Sequence, residues 1–129
     1  MTKNKTKYVD GFVLVVPKKN AAAYKKMAQW GSKVWMRCGA LEYVECVGDD
    51  IYPSSTVMQT LTFPKLTKVK KDETVWFSYI TFKSRAHRDQ VNKKVYAEMN
   101  KAPAKYKNMK MPFDMKKMAY GGFTVMVHN

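Results

Sequence analysis

Two carboxylates stand inside segments that otherwise have the composition of buried strands, and each could act as an acid or a base. Asp10 interrupts the apolar run 8–16, where it shares a face with Tyr8 and Phe12. An unpaired charge is costly to bury, so a carboxyl group there needs a partner or has a pKa raised by burial. We consider Asp10 a candidate catalytic residue, the alternative being a strand-end aspartate bonded to a turn or to a partner chain.

Glu45 is the second candidate, because it lies in the middle of the segment 40–51 on the same face as Val47. The two carboxylates are not predicted to work as a pair, since the expected topology places another strand between theirs. Tyr120 is the third candidate, a phenol beside a glycine pair. Asp10, Glu45 and Tyr120 are therefore the predicted catalytic set.

Other residue types with chemical potential form no recognised pattern. His87, in the first turn of a predicted helix, is either a general base or, as we expect, an exposed residue. Cys38 and Cys46 form no CxxC motif, and we expect both to be small buried apolar residues. No HExxH motif, Ser/His/Asp set or phosphate-binding glycine loop is present. We predict no metal and no cofactor.

Aromatic residues are frequent enough to line an apolar pocket for a quinone or an aromatic substrate, although a simple core is the alternative. The motifs MPFD (111–114) and YGGF (120–123) contain glycines that permit a close approach of substrate or of the PFD loop. We expect the loop, with Asp114 capping local amides. The pocket candidates are Tyr24, Trp30, Trp35, Trp76, Phe77, Tyr79, Tyr120 and Phe123.

The order of predicted elements is strand, helix, strand, strand, helix, strand. Apolar residues spaced by three and four predict the first helix, which Asn20 begins and Gly39 ends, and Ser84 is the expected N-cap of the second. This order favours an α+β ferredoxin-like sandwich, a four-stranded antiparallel sheet with both helices on one face. The strands are predicted at 8–16, 40–51, 75–82 and 116–127, the helices at 20–38 and 85–100, and a long connection at 52–73 with a short extended piece at 57–62.

Composition and charge limit the class of protein. The 129 residues predict a single domain, with a disordered basic tail at 1–6. The net charge of +14 comes from 21 lysines and 3 arginines against 10 acidic residues. Dispersed lysine predicts weak, non-specific affinity for polyanions rather than reading of a nucleic-acid sequence. No apolar signal segment or membrane span is visible, and we expect a cytoplasmic protein.

The sheet face opposite the helices is predicted to be too apolar to remain in water. The first strand is apolar on both faces, and the third and fourth strands add large side chains to either face. Such a patch exceeds what a monomer exposes, so we expect a homodimer in which two sheets pack face to face into a barrel. The alternative is a monomer whose open face is covered by the connection 52–74.

Several motifs carry a resemblance to a known family. YVDGFV (8–13), the segment GALEYVEC with its following GDD (39–50), DETVWFSYI (72–80), MPFD and YGGF closely resemble the YbaA-like family of small bacterial proteins. That family is a domain of unknown function (family 1428) in the dimeric α/β-barrel superfamily. The resemblance covers residues 7–125 and implies the same fold and dimer, but no established activity.

The function expected from the sequence is accordingly broad. We expect a homodimer that binds a small apolar or aromatic molecule between helices and sheet. Analogy with the superfamily implies a cofactor-independent oxygenase or isomerase, although whether the chain is an enzyme stays open. The alternatives are a basic nucleic-acid-associated protein, in which lysines and exposed aromatics share one face, and a non-catalytic interaction or stress module.

Overall fold

The sheet has four antiparallel strands in the order β2-β3-β1-β4. The computed structural model describes residues 5–52, 60–102 and 110–129. β3 lies between β1 and β2, as expected for a ferredoxin-like arrangement. The predicted fold class is confirmed. The strands are β1 (Tyr8–Pro17), β2 (Glu42–Val47), β3 (Glu73–Phe82) and β4 (Met118–Thr124).

Three α-helices accompany the sheet in the described part of the chain: α1 (Ala21–Arg37), α2 (Phe63–Thr67) and α3 (Arg85–Asn100). Gly39 adopts a φ of 117° just after α1, the left-handed region that stops a helix after its last turn. The Ser84 hydroxyl caps α3 by accepting from the His87 N–H at 3.0 Å. None of these three helices is long and apolar enough to cross a membrane.

The predicted N-cap position of Asn20 is confirmed, because Asn20 directly precedes α1. Its side chain, however, makes no capping hydrogen bond. Its amide donates instead to the carbonyl oxygen of Pro112 at 2.9 Å. Asn20 therefore ties the start of α1 to the segment that precedes β4.

Element boundaries differ from the predictions at three places. The second and fourth strands are shorter than predicted, and Met115–Lys117 forms a 3₁₀ turn before β4. The connection after β2 contains α2, which was not predicted: the Thr62 hydroxyl accepts from the Lys65 N–H, and Pro64 occupies the first turn. Residues 57–59 of the predicted extended piece lie outside the described residues.

The N-terminal segment is bound to the sheet from residue 6 onward. Thr6 is buried. Lys7 donates its N–H to the carbonyl of Phe82, and its own carbonyl accepts from the Val125 N–H, both at 3.0 Å. Residues 1–4 of the predicted basic tail lie outside the described residues.

The core lies between the sheet and the two long helices. Alternation along β1 directs its even-numbered residues towards α1 and α3, and the same face of β3 carries Trp76, Ser78, Ile80 and Phe82. The buried stripe predicted for α1 is confirmed at Tyr24, Ala28, Gly31 and Val34. The opposite sheet face carries no helix of comparable length in the described part of the chain, and several of its apolar side chains are exposed.

The glycine pair of β4 permits a close approach, but not of the expected partner. A Cβ atom on Gly122 would lie 2.3 Å from the hydroxyl of Tyr8, so a side chain is excluded there. Tyr8 thus occupies the space that we assigned to the PFD loop. The pairing of β4 with β1 runs without a bulge through both glycines.

Candidate functional site

A cavity of about 490 Å³ lies between α1, α3 and the helix-facing side of the sheet. We call it the apolar chamber. Met111 and Met115, 45% and 53% exposed, mark its mouth. Methionine side chains are flexible and polarisable, and they adapt to ligands of different shape. The wall is formed mainly by aromatic and methionine side chains: Phe12, Tyr24, Trp30, Trp35, Tyr43, Phe113, Met27, Met99, Met111, Met115 and Met118.

Glu45 supplies the carboxylate of this wall. The Tyr24 hydroxyl lies 2.9 Å from both of its carboxylate oxygens, and the Tyr43 hydroxyl lies 3.5 Å from one of them. Ser78, the neighbour of Glu45 on β3, also acts to lower its pKa. The Tyr24 hydroxyl is thus the close hydrogen-bond partner of this carboxylate, and the Tyr43 hydroxyl is a more distant one.

The local sequence explains how these groups meet. Tyr43 and Glu45 are two residues apart on β2, so both face the helices. Ser78 is the direct cross-strand neighbour of Glu45 on β3. Tyr24 comes from the buried stripe of α1, and its ring packs edge-on against Trp76 with the centroids 4.8 Å apart. One strand, its neighbour and one helix therefore build the site.

The electrostatic surroundings of Glu45 disfavour its charge. Burial raises the pKa of Glu45, and the hydrogen bonds from Tyr24, Ser78 and Tyr43 only partly offset this effect. Burial, with the carboxylate nearby, also raises the pKa values of Tyr24 and Tyr43, which keeps both phenols protonated as donors. Glu45 takes part in none of the ion pairs formed by the described residues. Its carboxyl group is therefore suited to accept a proton.

A second cavity of about 390 Å³ also reaches Glu45. Its wall includes the polar residues Lys25, Gln29 and Ser32 of α1, and it shares Tyr43 and Glu45 with the apolar chamber. Glu45 therefore lies in the partition between an apolar space and a more polar one.

Asp10 belongs to a different cluster, at the contact between β1 and α3. It is 1% exposed, and Arg88 of α3 donates to its carboxylate at 2.6 Å. The same guanidinium donates to the Tyr120 hydroxyl at 2.9 Å and lies 5.1 Å from the ring centre of Tyr8. Burial raises the pKa of Asp10, and the attraction of Arg88 opposes that effect. This carboxylate is neutralised by a buried cation.

The structure thus divides the predicted catalytic set into two places. Asp10 and Tyr120 meet at Arg88, whereas Glu45 lies on β2 with β3 in between. The separation of Asp10 from Glu45 was predicted from the topology and is confirmed. Asp10 and Tyr120 do not line the apolar chamber.

Sequence reasoning missed the partners of both carboxylates. Tyr43 could have been found, because it shares a strand face with Glu45 at a spacing of two. The approach of Tyr24 to Glu45 is a contact between elements, and no local pattern signals it. Arg88 lies 78 positions from Asp10, so its role was equally invisible.

Three smaller expectations were also tested by the structure. The expected capping role of Asp114 is confirmed, because its carboxylate accepts from the Lys116 N–H at 3.0 Å. His87 is half-buried rather than exposed: its Nδ1 accepts from the Lys83 N–H at 3.0 Å. Burial lowers the pKa of His87. Cys46 is exposed and Cys38 is only half-buried, so the expectation that both cysteines are buried was wrong.

The aromatic residues proposed for a pocket are distributed over both sides of the sheet. Tyr24, Trp30 and Trp35 line the apolar chamber, and Trp76 lines the second cavity. Phe77, Tyr79 and Phe123 alternate onto the opposite sheet face. The pocket and the open face therefore use different aromatic residues.

Fold and site together define a ferredoxin-like α+β protein with an apolar chamber and a carboxylate in its wall. The chain belongs to the family described as "Protein of unknown function (DUF1428)", whose model matches residues 7–115. It is 38% identical over 121 residues to "Uncharacterized protein YbaA" of Escherichia coli (strain K12). The alignment covers 94% of this chain and 97% of that relative. The YbaA proteins of Escherichia coli O157:H7 and Shigella flexneri give the same values.

A comparison with solved structures adds no further argument. One structure, from Burkholderia cenocepacia, aligns with 94% of this chain and 27% of its own at 10% identity. Its TM-score of 0.29 is too low to support an inference about fold or function.

Proposed function

We propose that this protein binds a small apolar or aromatic molecule in the apolar chamber, and that Glu45 accepts a proton from it. The supporting observation is the carboxylate of Glu45, which the Tyr24 and Tyr43 hydroxyls approach in an otherwise apolar wall and which forms no ion pair with any described residue. A carboxyl group with a raised pKa in a concave apolar site is a typical general base.

The chemistry that fits this site needs no cofactor. Ionised Glu45 takes a proton from an acidic C–H or O–H bond of the ligand, and the electron pair stays on the ligand as a delocalised anion. Return of the proton to a different carbon gives an isomer. With dioxygen as co-substrate, dioxygen adds to the anion of the ligand. The resulting peroxide anion takes back the same proton from Glu45, which gives an oxygenated product. Tyr24 and Tyr43 hold the carboxylate during these steps.

Asp10 is a weaker candidate than Glu45 for the residue that accepts the proton. Its charge is already compensated by Arg88, and Asp10 is 1% exposed and does not line the apolar chamber. Tyr120, which also contacts Arg88, is 52% exposed. We propose that these two residues anchor α3 to the sheet and that Glu45 is the one residue of the predicted set that contacts the ligand.

Methionine methyl groups provide a direct test of ligand binding. In protein labelled with ¹³C at the methionine methyls, addition of naphthalene should shift the signals of the chamber residues. Met36 and Met126, exposed and outside the chamber wall, should remain unchanged as internal controls. Shifts confined to these two residues, or none at all with a series of small aromatic compounds, would refute the proposal. The reporting residues are Met27, Met99, Met111, Met115 and Met118.

We also propose that the protein is a homodimer formed through the open sheet face. Phe77 and Phe123 on this face are 44% and 61% exposed. The charged side chains that the four strands place there are Glu42 and Glu73, each at the start of its strand. Phe63 of α2 covers part of this face, because its ring lies 6.4 Å from that of Phe77. The exposed apolar remainder, with charges only at its margin, fits a self-complementary interface between two copies.

The same face argues against a nucleic-acid platform. Exposed phenylalanines could stack on bases, but such platforms combine aromatics with basic side chains. The strand residues of this face include acidic side chains and no lysine or arginine. Nucleic-acid binding at physiological salt that is lost on Phe123→Ala would favour that alternative over the dimer.

A reducing compartment such as the cytoplasm fits the cysteines. Cys38 and Cys46 are both free, and Cys46 is exposed. Exposed thiols persist where disulfide formation is suppressed. We propose a cytoplasmic location on this basis.

A further inference from the structure

We infer that the ligand of the apolar chamber is a neutral aromatic molecule that carries one hydroxyl group, of the phenol type, directed at Glu45. This inference rests on the proposed function, since it names the class of ligand for the same site. It follows from a count of the hydrogen-bond donors and acceptors that the chamber offers, from the shape of its wall and from the charge of the protein.

Three side-chain hydrogen-bond donors of the chamber are already used. The hydroxyls of Tyr24 and Tyr43 lie 2.9 and 3.5 Å from oxygens of the Glu45 carboxylate. The indole N–H of Trp35 donates to the side-chain oxygen of Asn92 at 3.1 Å. At these groups a ligand carbonyl, carboxylate or phosphate would have to displace an existing bond or remain unsatisfied, which is costly in an apolar site.

The acceptor capacity of the chamber is not exhausted. An ionised carboxylate offers about four lone-pair positions. The Tyr24 hydroxyl approaches both oxygens of Glu45 and the Tyr43 hydroxyl approaches one of them, which leaves about one position. A single donor on the ligand can fill that position. The bond would be charge-assisted, because Glu45 belongs to no ion pair of the described residues.

The rest of the wall favours a flat apolar body. Phe12 and Trp35 contribute aromatic rings to the wall, and Met27, Met99 and Met118 contribute thioether side chains. Aromatic rings gain from offset stacking and from contacts with sulfur. The volume of about 490 Å³ lies within the range of ordinary small-molecule sites.

A hydroxyl group fits better than an ammonium group as the donor. The protein carries a net charge of +14, which repels cations as they approach. Lys25, in the wall of the second cavity that also reaches Glu45, adds a local positive charge. A neutral donor enters without this penalty and delivers the proton that the proposed chemistry requires.

A series of naphthalenes with one body and different substituents tests the inference. Calorimetric titration at neutral pH would compare 1-naphthol, 1-methoxynaphthalene, 1-naphthoate and 1-naphthylmethylamine. We expect 1-naphthol to bind at least about tenfold more tightly than 1-methoxynaphthalene, because only 1-naphthol can donate a hydrogen bond to the charged carboxylate. In Glu45→Gln the two affinities should agree within about threefold, because the charged acceptor is gone. Unchanged thermal unfolding would show that this variant folds.

The outcomes separate the inference from the proposed function. Equal affinity of 1-naphthol and its methyl ether would overturn the inference, because a donor would then not matter, while the chamber would still be a ligand site. Tightest binding of the naphthoate or of the amine would overturn it as well. Failure of all four compounds to bind would contradict the proposed function itself.

Discussion

At the scale of single residues, the carboxylates of buried Asp10 and half-buried Glu45 differ in what compensates them. Asp10 has a guanidinium at 2.6 Å, whereas Glu45 has only hydroxyl groups. A carboxylate that is partly removed from water without a counter-ion costs stability, and such groups are candidates for a functional site. This difference is the reason for assigning chemistry to Glu45 and structure to Asp10.

The first prediction concerns the pH dependence of stability. Because burial raises the pKa of Glu45, the folded state holds this proton more tightly than the unfolded state does. Its contribution to stability is therefore greatest below the unfolded pKa and is lost as the pH rises through the folded pKa. Glu45→Gln should be at least as stable as the wild type at neutral pH, and this advantage should shrink in acid. Urea unfolding over a pH series measures this difference.

Tyr43→Phe provides the control for that series. It removes one of the hydrogen bonds that lower the pKa of Glu45, so it should lower stability at neutral pH more than in acid. If Glu45→Gln were instead strongly destabilising at every pH, Glu45 would have to be regarded as a structural residue.

The second prediction concerns the ion pair between Arg88 and Asp10, whose side chains are 12% and 2% exposed. Arg88→Met would leave a buried carboxylate unpaired and should cost about 3–5 kcal/mol of unfolding free energy. Arg37→Met is the matched control, because its pair with Glu98 is largely exposed and should contribute little to stability. Denaturant unfolding measures both.

A double variant decides how that cost arises. Asp10→Leu combined with Arg88→Met should recover much of the stability lost in Arg88→Met alone, since no isolated charge then remains. Equal losses in the single and double variants would mean that Arg88 acts through its packing against Tyr8 rather than through Asp10.

At the level of single residues, prediction from the sequence succeeded where the alternation of side chains along a strand alone decides which face a residue lies on. The burial of Asp10 and the inward face of Glu45 follow from the period of two along a strand. The partners Arg88 and Tyr24 do not, because helix and strand residues far apart in sequence meet only after the elements pack.

At the scale of elements, α1 contains a glycine that its helical position does not explain. Gly31 lies in the middle of this helix and in the chamber wall. A Cβ atom there would lie 3.5 Å from the Tyr43 hydroxyl, an ordinary contact. The glycine thus keeps space in the chamber at the expense of helix stability.

The third prediction follows from this position. Gly31→Ala should stabilise the fold by about 1 kcal/mol, the difference in helix propensity between these residues. The methyl group should also weaken binding of naphthalene, because it occupies part of the chamber. Ala22→Gly, at an exposed position of the same helix, should lower the free energy of unfolding by a similar amount without affecting the binding of naphthalene. Thermal unfolding and calorimetric titration measure the two effects.

The outcome that would contradict this prediction is a loss of stability in Gly31→Ala. The wall at Gly31 would then be rigid and closely packed rather than open. A gain in stability with unchanged affinity would mean that naphthalene binds away from α1.

Elements were predictable in proportion to their length and regularity. The period of α1 and the Ser84 cap of α3 were readable from local chemistry. The helix α2 was missed because its five residues are too few to show a period, although Thr62 and Pro64 form an N-terminal signal. The side chain of Asn20 could not be placed, because it pairs with a carbonyl 92 positions away.

At the scale of the whole molecule, the fold follows from its element order, whereas the proposed assembly follows from the open face. The four-stranded topology with β3 in the centre was derivable, because crossover connections have a fixed hand. The chamber was not derivable, because its wall collects side chains from helices, strands and the segment before β4.

The fourth prediction concerns assembly. Sedimentation should give the mass of a dimer for the wild type and of a monomer for Phe123→Asp and Phe77→Asp, since a buried unpaired carboxylate would disrupt the apolar interface. Tyr96→Asp is the control: this residue of α3 is 56% exposed on the helical side and should leave the dimer intact. A wild-type protein that sediments as a monomer when dilute would contradict the proposed interface.

The ionisation of Glu45 tests the central claim most directly. A ¹³C titration of the glutamate carboxyl groups, with the Glu45 signal assigned by its loss in Glu45→Gln, yields its pKa in the folded protein. The account predicts a value clearly above the ordinary glutamate pKa of about 4.3, as expected for a proton acceptor buried in an apolar wall. A value at or below the ordinary one would show that the carboxylate is solvated or paired, and Glu45 could not then act as the base described here.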